Sequence, residues 1–147
     1  IGESLRNAGL SRKETRKKVE ALLKDCGLPP EYADRYSHQV SGGQCQRAAI
    51  ARALAIEPRL LICDEITSAL DVTVQKEILE LLNTLRTQRG RGISILFICH
   101  DISLVQQFCD RVLVMYHGKI VEEGTPDEVI RNPQNDYTKC LIDSVLS

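Results

Sequence analysis

The chain has 147 residues, enough for one domain with a real core. Its 19 lysines and arginines stand against 20 aspartates and glutamates, a balance that argues neither for a nucleic-acid binder nor for an acidic tail. The longest apolar stretch, Ile95-Leu96-Phe97-Ile98-Cys99, falls far short of the roughly 20 residues of a membrane-spanning helix. No signal peptide is visible, but a truncated start could not show one; a soluble intracellular protein is the default expectation.

In chain order, residues 1–40 read as helical. Ser11-Arg12-Lys13-Glu14 is a capping box, in which the serine accepts from a first-turn amide and the glutamate reaches back. Val19, Leu22, Leu23 and Cys26 then share one face at helical spacing. Gly27 supplies a stop and Pro29-Pro30 enforces it. The charged face with Arg12, Lys13, Arg16, Lys17, Lys18 and Lys24 is interrupted by Glu14 and Glu20, so a solvated face is expected before an acidic partner.

From Gln44 an alanine-rich run favours helix until Pro58. Residues 59–63 are continuously apolar after Arg59, the pattern of a strand buried on both faces. Val74 to Arg86 reads as a helix with Ile78, Leu81, Leu82 and Leu85 on one side, broken by Gly90 and Gly92. Ile93 to Cys99 is a second buried strand, so the two strands should be parallel neighbours of a βαβ unit. A short helix near 102–108, a hairpin turning at His117-Gly118, a helix capped by Thr125 with Pro126 and Glu128, and a last helix from Tyr137 to Leu146 complete the chain. The six cysteines show no C-x-x-C spacing and suggest reduced thiols; a zinc or iron–sulfur site is not expected. Cys63 and Cys99 sit in apolar runs as core residues.

The residues with chemical promise stand at strand ends and one helix tip. In parallel α/β sheets the working site lies beyond the carboxyl ends of the strands. Asp64 and Glu65 occupy one such end and His100 the other. Asp64 is suited to hold Mg²⁺ through water. Glu65 is suited to act as base toward a water, and His100 to hydrogen-bond a terminal phosphate. An aspartate after an apolar run can also merely cap a helix. Ser41-Gly42-Gly43-Gln44 fits a capping box, but a cap does not explain two glycines where each costs up to about 1 kcal/mol against alanine. Bare backbone there lets a phosphate approach the free helix amides, with Arg47 adding charge nearby.

The order of these motifs resembles the nucleotide-binding domain of ABC transporters. The match rests on the signature Ser41-Gly42-Gly43-Gln44, the Walker B run with Asp64 and Glu65, the D-loop Ser68-Ala69-Leu70-Asp71, and the H-loop His100. Gln39-Val40, the stretch Ser68 to Gln75, Asn132-Pro133 and Tyr137-Thr138-Lys139 look like the peptide and nickel importer branch. The resemblance implies an α/β fold with a P-loop NTPase-type parallel sheet. Residues 1–57 would form the helical subdomain and signature helix, and 58–147 the C-terminal half of the ATPase core.

It further implies ATP and Mg²⁺ as ligands, with Glu65 and His100 in catalysis and Asp64 on the metal. Ser41, Gly42, Gly43 and Gln44 would contact ATP bound mainly to a second ABC ATPase domain arranged head to tail. Ser68 and Asp71 would line the seam. Membrane-spanning permease subunits would grip the helical subdomain at the cytoplasmic face of the membrane, a substrate-binding protein would be an indirect partner, and nucleic acid would not be one. The expected function is ATP hydrolysis energising oligopeptide or dipeptide uptake, with nickel import next. A soluble ABC-type ATPase without a transport role, such as a phosphonate-breakdown accessory protein, is the alternative; co-purification with hydrophobic subunits discriminates.

The chain departs from the pattern in places. The phosphate loop and Gln-containing loop do not occur in it, so it reads as the back part of an ATPase domain and is not expected to bind ATP tightly alone. Ile66 stands where the family usually has proline, and Val40 replaces the usual leucine. Cys45, in the first turn of the signature helix, is expected to alkylate faster than Cys63 and more slowly once an ATP-bound dimer closes.

Overall fold

The computed structural model describes residues 1–88 and 92–146. The polypeptide folds as two compact units, Ile1–Leu96 and Phe97 onward. The first begins with α1 (Gly2–Asn7) and α2 (Arg12–Asp25). Ser11 and Glu14 close the expected capping box at the start of α2. At its end Gly27 adopts φ +71°, the Gly27 amide donates to the Lys24 carbonyl at 2.9 Å, and the Leu28 amide donates to Leu23 at 2.8 Å. Those two bonds satisfy carbonyls that a helix end leaves open, and Leu23 and Leu28 are both buried beside them.

Beyond the Pro29-Pro30 stop, the chain makes 3₁₀ turns at Pro30–Asp34 and Ser37–Gln39 before α3 (Gly42–Leu54). The region 1–40 is therefore two helices and two single turns. The cations of α2 are less free than their pattern suggests: Arg16 pairs with Glu20 and Asp34, and Lys18 with Glu57 at 2.7 Å. α3 starts with a second capping box and ends before Pro58, where Glu57 takes φ +53°.

β1 (Leu60–Asp64), α4 (Val72–Thr87) and β2 (Ser94–Ile98) follow as strand, helix, strand. β1 and β2 are neighbours, and the Ser94 amide donates to the Arg59 carbonyl at 2.9 Å, pairing their starting ends as a parallel arrangement requires. Ile78, Leu81, Leu82 and Leu85 of α4 are buried as their spacing predicts. The expectation of strands buried on both faces does not hold in this chain. Leu61 and Cys63 are buried, but Leu60 and Ile62 are 52% and 60% exposed. Leu96 and Ile98 of β2 are exposed as well. Among the described residues, one set of alternate side chains in β1 is buried and the other exposed, which an apolar run by itself does not distinguish. Gly92 takes φ +53° at the break before β2; Gly90 lies outside the described residues.

The second unit carries α5 (Ile102–Phe108), the hairpin β3 (Val112–Tyr116) and β4 (Lys119–Gly124), α6 (Pro126–Arg131) and α7 (Asp136–Leu146). The hairpin is antiparallel, with Tyr116 opposite Lys119 and a bulge after Val114. His117 and Gly118 have φ of +46° and +77°, the pair of left-handed residues that a tight I′ turn demands. Thr125 caps α6 through the expected box. Val114, Val129, Thr138 and Ile142 form the buried interior. All six cysteines are free thiols; Cys63 is buried, and Cys99, just past β2, is only half-buried.

Candidate functional site

Asp64 is the last residue of β1 and is exposed at its carboxyl end. Glu65, also exposed, has φ +45°, a left-handed backbone uncommon for a non-glycine residue. The chain turns there instead of continuing as strand. Ser68 stabilises the turn: its amide and hydroxyl both donate to the Glu65 carbonyl, at 3.2 and 2.9 Å. Thr67 is buried, and its carbonyl accepts from the Gln75 side chain at 2.9 Å. Asp71 ends the loop as the N-cap of α4, accepting from the Val74 amide at 3.0 Å. Asp64, Glu65, Ser68 and Asp71 thus fall on one hydrogen-bonded connection between β1 and α4.

The tip of α3 rests on the end of that connection. Ser41 Oγ accepts from the Gln44 amide at 3.3 Å, and Gln44 Oε1 accepts from the Ser41 amide at 2.9 Å. The capping box leaves the Gly42 and Gly43 amides at the helix end, where geometry provides no intrahelical acceptor and the helix dipole favours an anion. A side chain at Gly42 would lie 3.7 Å from Leu70, and one at Gly43 would meet Val74 at 2.5 Å. Arg47 does not aim its charge at the tip. Its guanidinium donates to the Cys26 carbonyl at 3.1 Å and pairs with Glu77 at 3.0 Å, tying α3 to α2 and α4. That role depends on partners distant in sequence, so spacing could not reveal it. Gln75 and Thr67, which hold the loop, were equally hidden, because a backbone carbonyl that accepts from a side chain leaves no mark in the sequence.

His100 belongs to the second unit. It is exposed, between the end of β2 and Asp101, whose carboxylate caps α5 by accepting from Ser103 and Leu104 amides at 2.8 and 3.3 Å.

Among the described residues no group of three or more His, Cys, Asp and Glu could cage a metal ion. Mg²⁺ keeps several of its waters and needs only one or two carboxylates, so an exposed Asp64 at a strand end fits that ion.

One feature of the first unit had no signature in the sequence. An open groove of about 1010 Å³ runs among α1, α2, the 3₁₀ turns and α3, with Val19 and Ala49 in its walls and Arg6, Arg12, Arg35 and Arg52 along it. Cys45 lines it too, its thiol 3.7 Å from the Ser37 carbonyl.

A family model described as ABC transporter matches residues 2–68. The chain is 51% identical over 147 residues to the oligopeptide transport ATP-binding protein OppF of Salmonella typhimurium, covering 99% of this chain and 43% of that protein. It is 46% identical over 136 residues to the dipeptide transport ATP-binding protein DppF of Haemophilus influenzae, covering 92% and 40% respectively. The chain therefore spans less than half the length of these curated relatives. Among solved structures, cbiO1 from Clostridium perfringens, part of the ABC transporter complex cbiONQ, superposes with a TM-score of 0.76 at 38% identity, over 89% of this chain and 51% of that one. A dimeric ATP-binding cassette in a post-hydrolysis state with ADP and Pi gives a TM-score of 0.66 at 34% identity, over 80% and 49%.

Proposed function

Because this chain belongs to the ABC transporter family of ATP-binding domains, we propose that the protein carrying it hydrolyses ATP to energise uptake of oligopeptides or dipeptides. The observation that supports this most is the exposed Asp64-Glu65 pair at the carboxyl end of β1, continuous with a loop on which the glycine tip of α3 rests.

The chemistry that Mg²⁺ would supply with bound ATP is neutralisation of phosphate charge and polarisation of the bond that breaks. Asp64 would hold that ion. Glu65 orients the attacking water and accepts its proton, a contribution of roughly 10²–10⁴ in rate. His100 hydrogen-bonds the terminal phosphate and keeps the water in line. Ser41, Gly42, Gly43 and Gln44 offer a helix N-terminus to ATP carried mainly by a second ATPase domain arranged head to tail. Ser68 and Asp71 line the seam between the two. Permease subunits grip the helical subdomain, residues 1–57, at the cytoplasmic face of the membrane.

Glu65→Gln in the full-length protein tests the central assignment. Nucleotide binding should survive while hydrolysis falls by about 10²–10⁴; turnover within a few-fold of wild type would remove Glu65 from its role. His100→Ala should cut hydrolysis more than about tenfold with binding retained, on the same positioning argument. Isolation from membranes should bring hydrophobic subunits along, whereas a purely soluble set of partners would contradict transport.

A further inference from the structure

Two glycines open α3, and the structure treats them differently. A Cβ at Gly42 would make ordinary contact with Leu70 at 3.7 Å. A Cβ at Gly43 would stand 2.5 Å from Cγ1 of Val74, closer than carbon atoms pack. The obstacle is stiff. Val74 is β-branched and lies in a helix, where one χ1 rotamer dominates, so Cγ1 cannot swing aside cheaply. Its backbone is held too, because the Val74 amide donates to the Asp71 cap at 3.0 Å. One turn further along, the Arg47–Glu77 ion pair at 3.0 Å braces the same two helices.

We propose that Val74 is a positioning residue: it seats against the bare backbone of Gly43 and fixes the tip of α3 to the first turn of α4, so the signature glycines and the Asp71 loop move as one piece. Gly43 is bare for a neighbouring helix as well as for a phosphate. Gly42 has no such constraint.

The seating itself is tested by heat. Gly43→Ala should lower Tm by about 3–9 °C, the range that overpacking of this severity gives in a chain of this size. Gly42→Ala should lower it by clearly less. In a Val74→Ala background, which removes Cγ1, Gly43→Ala should cost less than a third of its wild-type shift. Equal shifts in both backgrounds, or equal shifts for the two glycines, overturn the seating.

The positioning claim rests on the proposed function and needs a kinetic readout in the full-length protein. Gly43→Ala should raise the KM for ATP at least fivefold with a smaller change in kcat, and adding Val74→Ala should return KM to within twofold of Val74→Ala alone. A KM that stays high in the double variant overturns positioning by Val74, because the bare backbone then serves the nucleotide alone. A wild-type protein without ATP turnover would instead sink the proposed function, and the thermal cycle would still decide the seating.

Discussion

Cys63 and Cys45 are both free thiols with very different surroundings. Burial in β1 pushes the Cys63 thiol from its ordinary value of 9.0 up to about 11, whereas Cys45 is half-buried in the first turn of α3. A folded pKa above the unfolded one means that the folded state holds its proton longer. The associated stability is complete below about pH 9 and is lost as pH rises toward about 11. Alkaline unfolding should therefore steepen across that window, by an amount on the order of 2–3 kcal/mol in total, and Cys63→Ala should flatten it. With a maleimide near pH 8, mass spectrometry should find Cys45 modified well before Cys63. Nucleotide should slow Cys45 in the full-length protein; equal rates would count against the proposed two-domain interface at the tip of α3. Residue identity carried much of this: a cysteine inside Leu60-Leu61-Ile62-Cys63-Asp64 reads as core. Arg47 shows the opposite case. Its position one turn into α3 suggested charge for a ligand, yet Cys26 and Glu77, 21 and 30 residues away, claim the guanidinium.

Among the elements, helix starts were legible because a cap is local. Ser11, Ser41 and Thr125 each bond within three residues, so four letters of sequence contain the whole interaction. Strand burial was not legible, because a strand's apolar run does not say whether one face or two will find a cover; Ile62 and Cys63 are adjacent letters with opposite fates. α7 depends on a distant group as well. Glu122, on β4, accepts from the amides of Gln134 and Asn135 at 2.7 and 3.1 Å, just ahead of that helix. The Gln134 bond is the main reason its carboxyl lies below the ordinary carboxylate range. For a lowered carboxylate the stabilisation is present above the ordinary pKa and fades as pH falls through the folded value. Glu122→Gln should weaken this hold at neutral pH and blunt the acid-side loss. Hydrogen exchange at the Gln134 and Asn135 amides checks it: protection should fall in the variant and match wild type in acid.

For the whole molecule, the exposed apolar residues set solution behaviour. Leu60 and Ile62 in the first unit and Met115 and Ile120 in the second are each more than half exposed, beyond what scattered surface residues on a monomer require. Expressed as these 147 residues, the chain should bind a hydrophobic dye and associate as concentration rises. Ile62→Lys together with Met115→Lys should reduce both, as followed by dye fluorescence and light scattering. The left-handed turn at Glu65 reaches further, into how such proteins evolve. Asparagine and glycine suit that backbone better than glutamate does. In a library selected only for survival of heating, position 65 should drift toward them, and every gain made there would discard the carboxylate. Under the role proposed for Glu65, tolerance to heat and turnover would then pull one codon in opposite directions.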